Sequence, residues 1–478
     1  MKKIASLVLF CTMAFSAFAE APTELVMYLI GNPTQAYWDA LAVFNKKAQA
    51  DLNLTLKVNF IGWGDFSQKY PLVLASGEPI DLIYTSTWLQ FPQQALKGAF
   101  MPLEDIGPKF APESFKLEPK EGLRQATLNG HLYALPPNFT QYAFHGPIYR
   151  GDLGAKVGVP EIKSFDDWGK FMVAVHKSDA TIDPAGMYAT IPMIDASYWY
   201  QNDLYPLSGD PVIASPFWID VNDKTGKVVN IVDRADTPDL LKKLYAWSKA
   251  GAWPKSVLSN KDDKMFQTGK AASVPWNIDN WVGQYMQNPQ WDVKFFSMLK
   301  HTYALPYMQD GMAIPASAKH PDLALKLLDK LRNDKSYYML LSYGIEGKQY
   351  KMNEKGELIA LDNTNWPPEQ FCNWGYRDNR FRPDMAGSPA SLKDVRAAAA
   401  KAAVDNPYVS FTQVIEPVKN EYAAVVNVMT QYWVPLKLGY VEPVAGLKTL
   451  KEKLKAAGVA KVEAEFQKQL NAFLAARK

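Results

Sequence analysis

The sequence predicts an α/β protein of two large lobes, and three observations carry that expectation. Near the start, apolar runs of strand character alternate with amphipathic helical ones. The chain is 478 residues long, more than a single hydrophobic core serves. Its two cysteines, Cys11 and Cys372, are too few for a covalent framework, so packing must hold it together.

Residues 24–30 are a β-rich apolar run closed by Gly31-Asn32-Pro33. Thr34 is placed to cap a helix whose Tyr37, Leu41, Phe44 and Ala48 share one face. Residues 54–60 alternate strictly, the period of a half-buried strand. Asp65 is a candidate cap for a second helix, in which Pro71 predicts a kink because its ring meets the carbonyl four residues back. Residues 80–84 read as a third strand. Strand–helix–strand–helix–strand implies a mainly parallel sheet, and such sheets bind ligands beyond the carboxyl ends of their strands. Gly31-Asn32-Pro33, Gly62-Trp63-Gly64-Asp65 and Thr85-Ser86-Thr87-Trp88 are those ends, and they should gather along one edge.

From 148 to about 291 helices alternate with short strands. Ser164 should cap a helix carrying Phe165, Trp168, Phe171, Met172 and Val175 inward. Residues 222–226 should turn a hairpin between 217–221 and 227–232. A calcium loop beginning at Asp220 fails, since Thr225 stands at the glycine position and Ile231 at the bidentate glutamate. Residues 311–315 read as a strand, and Pro321 opens a helix with Leu323, Leu327, Leu328 and Leu331 inward. Asn353-Glu354-Lys355-Gly356 should turn a second hairpin, and alanine-rich 396–404 should be helical. The tail carries two stripes: Leu447, Leu450 and Leu454, then Val462, Phe466, Leu470 and Phe473.

Met1-Lys2-Lys3, the apolar run 4–18 and Ala17-Phe18-Ala19 are the three parts of a secretory signal, with cleavage expected after Ala19. The run is shorter than the ~20 residues a spanning helix needs. Phe10 is too bulky for lipid attachment at Cys11, so an unlipidated exported protein is expected. Removing Lys2 and Lys3 lowers the formal charge from +3 to +1, which gives no broad field for nucleic acid. Cys372 then stands alone, and no internal disulfide is possible.

The chain lacks a phosphate-binding loop and the motifs His-Glu-x-x-His, Cys-x-x-Cys and Gly-x-Ser-x-Gly. Its five histidines are scattered, so neither metal nor cofactor is expected. A glycosidase needs only two carboxylates, and nothing singles out a pair among 49 acids. Binding without catalysis is the expectation; a secreted carbohydrate-active enzyme and a peptide or sensory binder are the alternatives. The positive signal is aromatic, 13% of residues, with many tryptophans beside turn-forming polar residues. Such faces suit sugars, whose C–H surfaces stack on rings while hydroxyls meet polar groups. The candidate ligand contacts are Asn32, Trp63, Asp65, Trp88, Asn138, Tyr142, Arg150, Trp199, Trp276, Asp279, Trp281, Asn373 and Trp374, with Trp88, Trp276 and Trp374 foremost. Arg377, Arg380 and Arg382 read as a solvated ion-pair network with Asp378 and Asp384 rather than a uronate site.

Several stretches resemble the large extracellular solute-binding proteins (family 1) of ABC importers for complex carbohydrates. They include Leu74-Ala75-Ser76-Gly77-Glu78-Pro79-Ile80-Asp81-Leu82, Asn129-Gly130-His131-Leu132-Tyr133-Ala134-Leu135-Pro136 and Gly311-Met312-Ala313-Ile314-Pro315. Tyr343-Gly344-Ile345-Glu346-Gly347-Lys348 and Leu454-Lys455-Ala456-Ala457-Gly458 continue the series in the same order. The resemblance implies a two-lobed periplasmic-binding-protein (Venus-flytrap) fold with hinge segments near 141–146, 295–302 and 348–353. It implies an N-terminal lobe of 20–142 and 303–348, and a C-terminal lobe of 143–302 and 349–478. It further implies a periplasmic monomer that holds an oligosaccharide between the lobes and passes it to permease subunits. Two departures from relatives stand out: no lipid site in the leader and no calcium loop.

Overall fold

The structure, a computed structural model, describes residues 21–64, 66–189, 192–209, 213–367 and 370–476. The expected leader and Asp65 lie outside the described residues.

The first lobe is built on the predicted alternation. Strand β1 (Thr23–Ile30) leads into helix α1 (Gln35–Leu52), then β2 (Leu54–Ile61), a helix over Phe66–Ala75 and β3 (Leu82–Thr85). Thr34 caps α1, its hydroxyl accepting from the Tyr37 N–H, and Tyr37, Leu41, Phe44 and Ala48 are buried as the stripe requires. The second helix runs through Pro71 as one element. β1 pairs in parallel with β2 and β3, and Gly311–Ala313 closes the far edge antiparallel to β3. β3 is buried at every position, the mark of a strand covered on both faces.

The second lobe is built on a three-stranded sheet in which Gly146–Arg150 lies between Ser273–Trp276 and Val293–Phe295. Adjacent residues of the central strand serve different cores: Tyr149 packs with Trp168 and Phe171, Ile148 with Trp281 and Phe266. Helix Phe165–Ser178 begins at Ser164, which accepts from the Asp167 N–H. The hairpin forms as Phe217–Asp220 paired with Val228–Asn230. Helices Pro443–Ala456 and Val459–Ala475 bury Leu447, Leu450, Leu454, Val462, Phe466 and Leu470 in the same lobe.

The lobes join where chain segments pair. The Ala143 N–H donates to the Tyr303 carbonyl, the Leu305 N–H to Gln141, and the Val404 N–H to Thr302. One expectation needs correcting. The hairpin Tyr350–Met352 with Leu358–Ala360 does not enter the second lobe: Tyr350, Leu358, Trp366, Phe371 and Tyr376 complete the first core. The third crossing lies between Met385, packed on the first core, and Leu392, packed on the second lobe. The hairpin strands are three residues each and bury too little to leave the first core, which signals in local sequence do not report.

Candidate functional site

Between the lobes lies a cavity of about 440 Å³, which continues into a second of about 650 Å³ past the shared residues Gln141, Tyr142, Asp279 and Arg377. Its first-lobe wall is a row of indoles. Trp63 stands between Trp88 and Trp374, with ring centroids 6.0 and 6.2 Å apart and planes within 26° and 29° of parallel. Each is set by a distinct device. Trp63 follows the carboxyl end of β2, and Trp88 lies in the turn after β3, whose Ser86 hydroxyl accepts from the Leu89 N–H. Trp374 is carried in by the 373–376 turn, and Gly375 is obligatory there, because a Cβ would come within 2.6 Å of the Tyr84 ring. Phe66 braces Trp63 and Trp88 edge-on, and Tyr84 meets Trp88 and Trp374.

Behind the row, Asp310 accepts from the Tyr84 hydroxyl (2.6 Å) and the Gln141 side-chain amide (2.8 Å). Burial raises the Asp310 carboxyl above the usual range, with Arg377 opposing. These bonds tie the first crossing segment to β3 beneath the indoles.

The second-lobe wall holds Trp276 at the end of its strand, the helix Ile278–Gln287 and a set of tyrosines. Asn277 caps that helix, its side chain accepting from the Asn280 N–H, and Asp279 lies in its first turn, where the helix dipole favours an anion. Arg396 of the second lobe reaches Asp279 at 2.9 Å; Arg382 and Arg377, from a segment packed on the first core, reach it at 3.5 and 3.6 Å. Burial alone would raise the Asp279 carboxyl, but Arg382, Arg377 and Arg396 outweigh it and hold it well below the usual carboxylate range. The lobes also touch where Gln93 donates to the Gln413 carbonyl (3.1 Å) and Arg124 to the Ser410 hydroxyl (2.7 Å).

Of the residues singled out in sequence, Trp63, Trp88, Tyr142, Trp276, Asp279 and Trp374 line this cavity. Asp65 lies outside the described residues, and the others are placed elsewhere. Trp199 is wholly buried in the second core, beneath the Arg234 guanidinium, and Trp281 is buried with its indole N–H donating to Val293. Arg150 stacks on Trp291 and pairs with Asp152; Asn138 donates to Asp378; Asn32 is exposed. Asn373 is buried with neither side-chain polar atom bonded. Arg380 is partly exposed, but the Asp378 it pairs with is buried, and Arg377 and Arg382 are drawn into the cleft, so the expected solvated network does not form. Tyr200, Tyr205, Tyr303, His145, Gln284 and Asp310 line the cavity without having been singled out as site residues. The aromatic density of 198–205 was a usable signal for two of them. The helix Ile194–Gln201 turns about 100° per residue, so Trp199 faces the core and its neighbour Tyr200 the cleft.

Fold and cleft together define a two-lobed binding protein. Residues 31–338 match the bacterial extracellular solute-binding protein family, and the chain belongs to it. Residues 407–475 match a second family, described as a domain of unknown function (DUF3502). A carbohydrate ABC transporter substrate-binding protein of Streptococcus pneumoniae is 25% identical over 467 residues, 95% of this chain and 91% of its own. Among solved structures, the N-glycan transport solute-binding protein NgtS of S. pneumoniae, in complex with Man1GlcNAc, has a TM-score of 0.80 at 21% identity, covering 95% of this chain and 99% of that one. The alginate-binding protein AlgQ2 without calcium ion has a TM-score of 0.64 at 15% identity, covering 95% and 99%.

Proposed function

We propose that the chain is an exported binding protein that captures an oligosaccharide between its lobes and delivers it to an ABC importer. The observation that carries this is the row of three near-parallel indoles facing a polar wall across a cavity that continues into a second. Flat apolar faces in a row suit successive sugar rings, while the facing amides and hydroxyls suit their edges. The streptococcal relatives add a substrate class: NgtS is described with Man1GlcNAc and Man5GlcNAc, which makes oligomannose glycans the first probes. The proposed contacts are Trp63, Trp88, Trp374, Trp276, Tyr142 and Asp279. Export follows the leader, with the mature chain beginning at Glu20 and carrying no lipid; a lipid adduct in the intact mass would refute that.

Work on the ligand should stop at binding. Calorimetry against Man1GlcNAc, Man5GlcNAc and a panel of plant and microbial oligosaccharides should yield at least one saturable ligand, recovered unchanged by chromatography. Shorter fragments would make the protein an enzyme, and no binding across the panel would remove the glycan reading.

A further inference from the structure

The wall opposite the indoles is built differently. His145, Tyr200, Tyr205 and Tyr303 form a row with successive ring centroids 4.8, 6.4 and 5.2 Å apart, and all line the cavity. The Ala143 N–H donates to the Tyr303 carbonyl and the Met298 N–H to the His145 carbonyl, which places His145 and Tyr303 on the paired crossing segments. Nε2 of His145, the Tyr303 hydroxyl and Oε1 of Gln284 are buried without a hydrogen-bond partner. Folded proteins pair almost all buried polar atoms, and exceptions call for an explanation. Three on one wall of one cavity, from the hinge segments and the helix Ile278–Gln287, share the simplest one: the ligand completes them.

The charge on this wall narrows the ligand. Its carboxylates are those of Asp263 and Asp279, and Arg377, Arg382 and Arg396 already hold Asp279. Burial lowers the His145 imidazole to about 3, so it meets the cavity as a neutral group.

We propose that His145, Gln284 and Tyr303 are the specificity-determining residues of the cleft, reading the hydroxyl or amide groups of an uncharged sugar unit. Gln284 Oε1 accepts from a hydroxyl or acetamido N–H; the Tyr303 hydroxyl and the His145 ring serve as donor or acceptor. A uronate carboxylate here would meet uncharged groups, and the arginines at the cleft, Arg377, Arg382 and Arg396, are already engaged with Asp279, so its desolvation would be poorly compensated. This inference rests on the glycan reading above.

The test uses Tyr303→Phe and Gln284→Leu in the full mature chain, with Trp63→Ala as control and Man5GlcNAc, the oligosaccharide panel and a uronic-acid oligomer as probes. Each conservative change deletes a polar group that has no protein partner, so the unliganded melting temperature should hold or rise. Affinity for the neutral ligand should fall about 10- to 100-fold in each, the scale of one buried group left unpaired. Variants that bind as the parent does, while Trp63→Ala loses affinity, would overturn the inference and spare the glycan reading. So would a uronic-acid oligomer binding more tightly than every neutral sugar, or a Tyr303→Phe chain that loses stability and keeps affinity. A parent chain that binds no sugar would sink both.

Discussion

The two walls of the cleft face one cavity but are held in opposite ways. The indoles of the first lobe are braced by Phe66 and Tyr84, so their geometry is set by the protein before any ligand arrives. The second-lobe wall keeps polar atoms buried and unmatched at Tyr303, Gln284 and His145. Stacking on rings tolerates many sugars, whereas an unmatched polar atom penalises any ligand that does not answer it. Under the proposed site, the difference teaches a division of labour: affinity from the first lobe, discrimination from the second.

Four measurements break or sharpen that comparison, and the largest effect belongs to a residue on neither wall. Trp199→Ala should cost about 3–5 kcal/mol of folding stability and leave the affinity of the folded fraction unchanged, by chemical denaturation and calorimetry. A stable Trp199→Ala chain with weakened binding would move that indole into the site. Next, ligand at 100 times its dissociation constant should stabilise the folded state by about 2.7 kcal/mol, with a smaller radius of gyration in small-angle scattering as the lobes close, the motion known for periplasmic binders. An unchanged radius with confirmed binding would leave a rigid pocket. Trp63→Ala, which removes the middle ring, should weaken binding by about 1–3 kcal/mol across every sugar tested, with its melting temperature nearly kept. Selective loss for one sugar would break the division of labour.

The smallest effect is at Asp279. Asp279→Asn should weaken binding by about 1 kcal/mol, the scale of a partly exposed ion pair. The sign with pH follows from a carboxyl held below its ordinary range. Its contribution is full above about pH 4, the ordinary carboxylate pKa, and is lost only as pH falls further toward the depressed value. Affinity titrated by calorimetry should therefore show no Asp279 step between pH 8 and about 5. A step there that disappears in Asp279→Asn would contradict the assignment.

Legibility divides along the same line. The first lobe was readable because β1, α1 and β2 carry clean periodicity, and because an open parallel sheet presents its strand ends to ligands. Trp63 and Trp88 follow from that rule alone. In the second lobe the cavity is lined from a helix, two crossing segments and loops, whose juxtaposition depends on contacts far apart in sequence. Tyr303 and His145 are 158 positions apart yet sit on paired segments. Trp199 shows the limit at short range, where a helical phase error of one residue exchanges a core indole for the cleft tyrosine beside it. The third crossing, which the resemblance implies near 348–353, lies further along because the chain beyond Lys348 still packs on the first core as far as Met385.

Asp279 also has a consequence for how a hinged carrier behaves when empty. Its carboxylate is gripped by Arg377 and Arg382 from one lobe while its own helix and Arg396 belong to the other. Such a bridge favours the shut form whether or not cargo is inside. While the shut form is the minor one, each factor by which the bridge raises its population raises apparent affinity by that same factor. It multiplies equally the number of empty molecules that present a loaded shape to a docking partner. Under the proposed function, the strength of one carboxylate's hold on the facing lobe would set how far scavenging at low sugar is traded against fruitless visits to the membrane.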